Sequence, residues 1–482
     1  GERLYFLSRE TGGATALKTF ALAHDAKVET FLENVRTYQP TMDGTKLLVR
    51  RGDDLFVVPT GAKAPGQLAN HAVDLSGWRF AYDPREEWRQ MYREAWRLHR
   101  DWFYDPGMHG VDWPAIYRKY LPLAERVTDR MERADVLGQM IAELSLLHAS
   151  VRPGDVRVGN ERVEPASLGA RLVRDEAAGG WRVAHIFRTD PDLPAELSPL
   201  ARPGVDVREG DVITMIDGVE TLAVADPGEL LRDKAGKQVL LRVASGKTVR
   251  DVVVEPVSMA QEAELRYDEW EYTRRLAVDS LSNGRIGYVH LRAMGTANMA
   301  EWAHQYYPVF NREALIVDVR HNRGGNIDSG ILNRLIRQAW MYWQPRVGEP
   351  FWNMNYAFRG PMVVLVNEFT ASDGEAFAEE FRRLGLGPVI GTRTWGGEVW
   401  LSAYNTLVDR GIATAAEVGV YGPEGEWLIE GWGVEPDIVV DNLPHATFEG
   451  ADAQLETAVR ELLKALEENP VTVPKAPAYP RK

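Results

Sequence analysis

The 482-residue chain predicts a multidomain α+β protein. Three patterns carry that reading. Short apolar runs between turn residues fill the first 60 positions and recur between about 168 and 243, as β-strands do. A three- and four-residue apolar spacing runs from about Pro84 to Leu147, the period of helices. From about residue 263, strand-like runs alternate with helical stretches, which argues for helices packed on a sheet.

Leu4–Ser8, Leu17–Leu22, Val28–Leu32, Lys46–Arg50 and Asp54–Val58 read as strands, separated by turns such as Met42-Asp43-Gly44. This is the meander spacing of a β-propeller blade. One blade and a fraction cannot bury its own faces. Residues 1–62 are therefore expected to be the end of a truncated propeller, and the chain the C-terminal portion of a longer protein. Gly1 in place of Met agrees. A linker with Pro65, Gly66 and Gly77 is expected over 63–82. Residues 83–155 should be helical. Trp88, Met91, Tyr92, Ala95 and Trp96 share one face, a turn falls at Asp105-Pro106-Gly107 and Gly110, and helices resume near Trp113 and from Ala134 to Leu147.

Residues 156–260 change to short β runs at Leu168–Leu172, Trp181–Ile186, Val212–Ile216 and Val239–Val243. The segment from Ser198-Pro-Leu-Ala-Arg-Pro-Gly to Ile216-Asp-Gly218 resembles the PDZ domains of bacterial and archaeal proteases. Such domains capture an extended peptide at a sheet edge. Leu168, Gly169 and Ala170 stand where they keep the carboxylate-binding loop. The α/β segment spans 263–468, with strands at Ile286–Leu291, Leu315–Val319, Met362–Val366 and Val389–Ile390 and a final helix at Ala451–Leu466. The Pro-rich stretch 469–482 reads as extended or disordered.

Composition excludes several function classes. Hydrophobic residues make up 45% and charged residues 26%, an ordinary globular mixture. No apolar run approaches the roughly 18 residues that cross a bilayer. The start GERLYFLSRE lacks the marks of a signal peptide. A net charge of −14 without a basic stripe disfavours nucleic acid. The absence of cysteine removes thiolate chemistry and agrees with a cytoplasmic location. No HExxH, phosphate-binding or EF-hand loop is present, so neither a metal nor any other cofactor is expected.

The richest stretch runs from Asn367 to Gly397. The apolar run Met362–Val366 leads into a polar turn carrying Ser372, and a helical pattern follows at once. This layout sets a serine hydroxyl beside the positive end of a helix with free N–H groups, as acyl transfer requires. Ser372 with Glu375 also fits a capping box, a purely structural role. A nucleophilic serine needs a base. No lysine follows Ser372 until Lys464, so a nearby lysine is not available. Among the ten histidines, His148 stands out, expected at the end of a helix facing a cleft.

Several segments together are more specific than any one: Met108-His-Gly-Val-Asp-Trp113, Met140-Ile-Ala-Glu-Leu before His148, Asp318-Val-Arg-His-Asn-Arg-Gly-Gly325, Ser372-Asp-Gly, Ile390-Gly-Thr-Arg-Thr-Trp-Gly-Gly397 and Glu430-Gly-Trp-Gly-Val-Glu-Pro-Asp437. In kind and order they resemble the C-terminal half of the tricorn-like serine peptidases. That resemblance implies a core like the crotonase and ClpP α/β spiral, with Ser372 as nucleophile and His148 as base. Glu430 would orient or polarise the histidine side, and the N–H groups of Gly325 and Asp373 would form the oxyanion hole. It also implies an endopeptidase or oligopeptidase acting on short unfolded peptides, self-association as a hexamer, and aminopeptidases downstream; the alternative is a catalytically weak or inactive PDZ and propeller scaffold that binds peptides. Two departures stand out. The family's serine before the histidine is Leu147 here. Its acidic specificity residue falls near Trp343, so an apolar or aromatic preference is expected instead of a basic one.

Overall fold

The computed structural model describes residues 2–9, 13–156, 159, 161–402 and 406–481. It divides into two compact units, residues 1–83 and 84–482. The first holds two three-stranded antiparallel sheets. One comprises Arg3–Arg9, Thr15–Ala21 and Glu29–Leu32; the other comprises Thr37–Pro40, Lys46–Arg51 and Asp54–Pro59. Leu17, Phe31, Val35, Leu47, Val49, Phe56 and Val58 form their core. Thr37–Pro40 is not among the expected strands. It buries none of its residues fully, so it shows no apolar alternation.

The second unit begins with helices Pro84–Trp102, Trp113–Ala124 and Arg130–Ala142. Asp112 and Asp129 cap the latter two through their carboxylates. Their apolar faces pack against Val399, Leu407, Ala413 and Ala416, so these helices are part of the same core as the later chain. The third helix stops at Ala142. The expectation that it reaches His148 is therefore corrected. Ser145 takes a φ of 54°, which turns the chain out of the helical path. The spacing of Met140, Ile141, Leu144 and Leu147 mimics a helix, but Leu144 is buried and Leu147 is exposed.

Residues 166–258 form an antiparallel sheet ordered Thr248–Val254, Val239–Ser245, Val212–Ile216, Gly180–Ile186, Ala170–Asp175, with Val219–Glu220 beside Val212–Ile216. The expected boundary near 156 adjoins residues 157, 158 and 160, which lie outside the described residues. The expected strand Leu168–Leu172 is split in two. Ala166–Ser167 pairs with Val257–Ser258, and Ala170–Asp175 pairs with Gly180–Ile186. Gly169 makes the break at a φ of 68°, where a Cβ would lie 2.5 Å from Ser198 Oγ.

A capping box of Ser258 and Gln261 then starts the long helix Met259–Ser282. Beyond it, five parallel strands run side by side: Ile286–His290, Ala314–Asp318, Met362–Val366, Val389–Gly391 and Ile438–Val439. The first three are buried throughout, as a parallel sheet covered on both faces demands. Leu315, Val317, Val364 and Val366 meet Ile331, Leu332, Phe377 and Phe381 of helices Asp328–Leu335 and Asp373–Arg383. Ile316, Val363 and Leu365 meet Val278 and the helix Ala453–Glu468. The alternation follows the two-residue period of a strand. No helix among the described residues is long and apolar enough to cross a membrane.

Candidate active site

The site grows from the C-terminal ends of the parallel strands. After Met362–Val366 the chain turns through Asn367–Ala371 and enters the helix Asp373–Arg383 at Ser372. Ser372 has φ 54° and ψ −128°, a strained conformation for a side-chain-bearing residue. Nucleophilic serines on sharp strand-to-helix turns carry the same kind of strain. Neighbours enforce it here. The Ser372 N–H donates to Glu375 Oε2 at 3.0 Å. The N–H groups of Glu375 and Ala376 donate to the Ser372 carbonyl at 2.7 and 3.1 Å. Ser372 and Glu375 form the capping pair of this helix start, and Oγ stands at its N-terminal end.

The turn after Ala314–Asp318 lies against this serine. Asn322 holds the two together: its carbonyl accepts the Ala371 N–H at 2.9 Å, and its Oδ1 accepts the Gly324 N–H at 2.8 Å. A Cβ on Gly324 would sit 2.5 Å from Ser372 Cβ, and one on Gly325 would sit 2.0 Å from the Met294 carbonyl oxygen. Only glycine fits at either place. The Gly324 N–H is consumed by Asn322. The N–H groups of Gly325 and Asp373 have no partner among the described residues. Two N–H groups unpartnered among the described residues thus lie on the turns next to Ser372, that of Asp373 at a helix N-terminus.

His148 lies six residues beyond the helix Arg130–Ala142, just before the short strand Val151–Arg152. Its Nδ1–H donates to the Val399 carbonyl at 2.7 Å, which leaves Nε2 as the basic nitrogen. The Trp395 ring stands edge-on to it, with centroids 5.7 Å apart. No hydrogen bond joins Nε2 to Ser372 Oγ; such bonds commonly tighten only with substrate in place. Leu147 occupies the preceding position, is 47% exposed, and donates its N–H to Glu430 Oε1 at 2.8 Å.

One loop, Thr394–Val399, anchors both sides. The buried Glu375 takes the N–H groups of Gly396 and Gly397 at 2.6 and 2.9 Å as well as that of Ser372. Glu430 takes the N–H groups of Glu398 and Val399 at 2.8 and 3.0 Å as well as that of Leu147. Glu430 therefore reaches His148 through the main chain and not through its ring. Burial pushes the Glu375 carboxyl above its usual range despite these donors. Glu398 is pushed further, to about 9, by burial and then by Glu375, Asp373, Asp328 and Glu430.

Other expected residues stand elsewhere. Trp343 lies on the hairpin Tyr342–Trp343/Phe351–Trp352, stacks on Phe351, and makes no contact with Ser372 or His148. In the PDZ-like sheet, the Gly169 N–H is taken by Ser167 Oγ and its carbonyl by Ser198 Oγ, so that loop's hydrogen bonding is turned inward. Lys464 is exposed on the last helix. Sequence reasoning missed the second role of Glu375 and the buried Glu398. For Glu375 the S-x-x-E spacing is a signal, but it points only to a cap.

Residues 285–440 match peptidase family S41. Residues 84–142 match the tricorn protease C1 domain, and residues 166–259 the tricorn protease PDZ domain. Tricorn protease homolog 1 of Streptomyces coelicolor is 36% identical over 465 residues, 95% of this chain and 43% of the relative. The tricorn protease of Thermoplasma volcanium is 29% identical over 454 residues, 94% of this chain and 43% of the relative. The crystal structure of the tricorn protease superposes with a TM-score of 0.86 at 26% identity, covering 96% of this chain and 46% of that one. Residues 285–440 thus carry a domain of peptidase family S41. Within that family, the chain belongs to the tricorn protease branch, and it spans less than half the length of these relatives.

Proposed function

We propose that the chain hydrolyses short unfolded peptides as a serine peptidase. Ser372 Oγ attacks the scissile carbonyl while His148 Nε2 takes its proton. The Gly325 and Asp373 N–H groups stabilise the oxyanion. His148 then protonates the leaving amine, and water hydrolyses the acyl-enzyme. The observation that carries this reading is the strained Ser372 at a helix start, packed against the Gly324-Gly325 turn, with the Gly325 and Asp373 N–H groups unpartnered among the described residues. Glu430 acts as a positioning residue for the His148 loop.

The finer reading is an endopeptidase or oligopeptidase that works in the cytoplasm as a homo-oligomer, a hexamer by likeness, and passes fragments to aminopeptidases. Exposed apolar surface of Leu147, Trp395 and Trp432 around Gly396 supports an apolar or aromatic preference. Trp343 is left with a weaker claim on that pocket, since among the described residues its ring stacks on Phe351. The PDZ-like loop Leu168-Gly169-Ala170 is proposed to pack rather than to bind a peptide carboxylate. A panel of fluorogenic peptides tests the whole reading. Cleavage after apolar or aromatic residues that vanishes in Ser372→Ala supports it. Fastest cleavage after Lys or Arg contradicts the preference, and equal rates in Ser372→Ala contradict the nucleophile.

A further inference from the structure

The mechanism above uses only the N–H of Asp373, yet its side chain is buried at the heart of the site. Asp373 Oδ2 accepts the N–H of Ile327 at 2.8 Å and that of Asp328 at 3.2 Å. Ile327 lies two residues beyond Gly325 on the same turn. One carboxyl oxygen therefore ties the turn that carries one free donor to the helix end that carries the other. Asn322 makes the tie on the near side, through Gly324 and Ala371. On the far side the tie is Asp373. Without it, the turn beyond Gly325 loses two hydrogen bonds, and the separation of the two donors is set from one side only.

We propose, resting on Ser372 as the nucleophile, that the Asp373 carboxyl is the positioning residue of the oxyanion hole, clamping the Gly325 N–H and its own N–H at the spacing the developing oxyanion needs. Oxyanion donors act by being fixed before charge develops, and misplacement by about 1 Å costs about 10²-fold in rate.

The charged side chain that bears most on Asp373 is another acid. Asp328 heads the opposing helix Asp328–Leu335, Glu380 lies two turns along Asp373's own helix, and Glu375 and Glu398 stand nearby. Burial, then Asp328, pushes Asp373 up to about 7, and the same two causes push Glu380 up to about 7. A proton held among these carboxyls keeps negative charge away from a site that must stabilise a negative oxygen. The sign follows. As pH climbs through about 7 the cluster loses protons, charge gathers beside the donors, and acylation slows.

The test is kcat and KM for peptide hydrolysis between pH 5.5 and 9 in the wild-type chain, Asp373→Ala and Asp373→Asn, with thermal melts of each. Asp373→Ala is expected to lose about 10²-fold in kcat with KM within about 3-fold. The Asn carbonyl can still accept both N–H groups. Asp373→Asn should therefore recover most of that loss and show a smaller fall in rate above pH 7 than the wild type, since Glu380 still titrates there. Full kcat in Asp373→Ala overturns the clamp. So does an Asp373→Asn protein as slow as Asp373→Ala. If Asp373→Ala does not fold, the pH profile of Asp373→Asn decides: an unchanged falling limb overturns the proposal. A wild-type chain no faster than Ser372→Ala overturns the nucleophile itself, a result distinct from any failure of the clamp.

Discussion

Ser372 stands where a buried parallel strand hands over to a helix, whereas His148 stands in a loop outside any regular element. The serine's conformation is enforced by contacts from within four residues of it and by the neighbouring glycine turn. The histidine is held from across the chain: Val399 takes its Nδ1–H, and Glu430 takes the N–H beside it. Rigid elements hold the strained Ser372; main-chain hydrogen bonds to a distant loop hold His148. The nucleophile side should therefore respond to mutation in steps set by sterics and charge. The base side should respond through loop position, with kcat falling while substrate binding persists.

Glu430→Gln should give the largest effect on the base side. One carboxylate accepts three main-chain N–H groups, and the amide offers a single acceptor oxygen in its place. A kcat lower by about 10- to 100-fold with KM within about 3-fold is expected from steady-state kinetics, since the base alone contributes about 10²–10⁴-fold. A rise in KM with kcat intact would make Glu430 a substrate-binding residue instead.

Glu398→Gln probes the charge beneath the serine. Glu398 is buried, its Oε2 has no partner among the described residues, and its pKa rises from 4.5 to about 9. The unfolded chain gives up this proton above about 4.5 while the folded chain keeps it to about 9. Folding stability from this group therefore falls as pH rises through that window. The amide removes the titration. Thermal melts should show a gain at pH 8 and little change at pH 4. Equal shifts at both pH values would contradict the assignment.

Leu147→Ser should give the smallest effect. It restores the hydroxyl that resembling peptidases keep before the histidine, beside Glu430. One added hydrogen bond is worth about 1 kcal/mol, so kcat should rise by about 5-fold. A fall would mean that Leu147 packs against substrate as part of the apolar rim with Trp395 and Trp432.

The same contrast explains what sequence reveals. The parallel sheet is legible because Ile286–His290, Ala314–Asp318 and Met362–Val366 are largely apolar runs spaced by helices. Ser372 is legible because its turn, its Glu375 and its helix are contiguous. The end of the helix before His148 is not, since Leu144 and Leu147 continue the apolar period although Ser145 has already left the helix. The reach of Glu375 to Gly396 and Gly397 spans about twenty residues, and that of Val399 to His148 spans 251. No local pattern encodes such pairings. The Asp373 carboxyl is hidden for a different reason: in sequence it is one more acid in the first turn of a helix.

The most direct measurement is covalent labelling with a fluorophosphonate, followed by mass spectrometry of the modified peptide, in the wild-type chain, His148→Ala and Ser372→Ala. The label should fall on Ser372 alone in the wild type. It should form about 10²-fold or more slowly in His148→Ala and be absent in Ser372→Ala. Labelling of another residue, or an unchanged rate without His148, would contradict the pairing of this serine with this histidine.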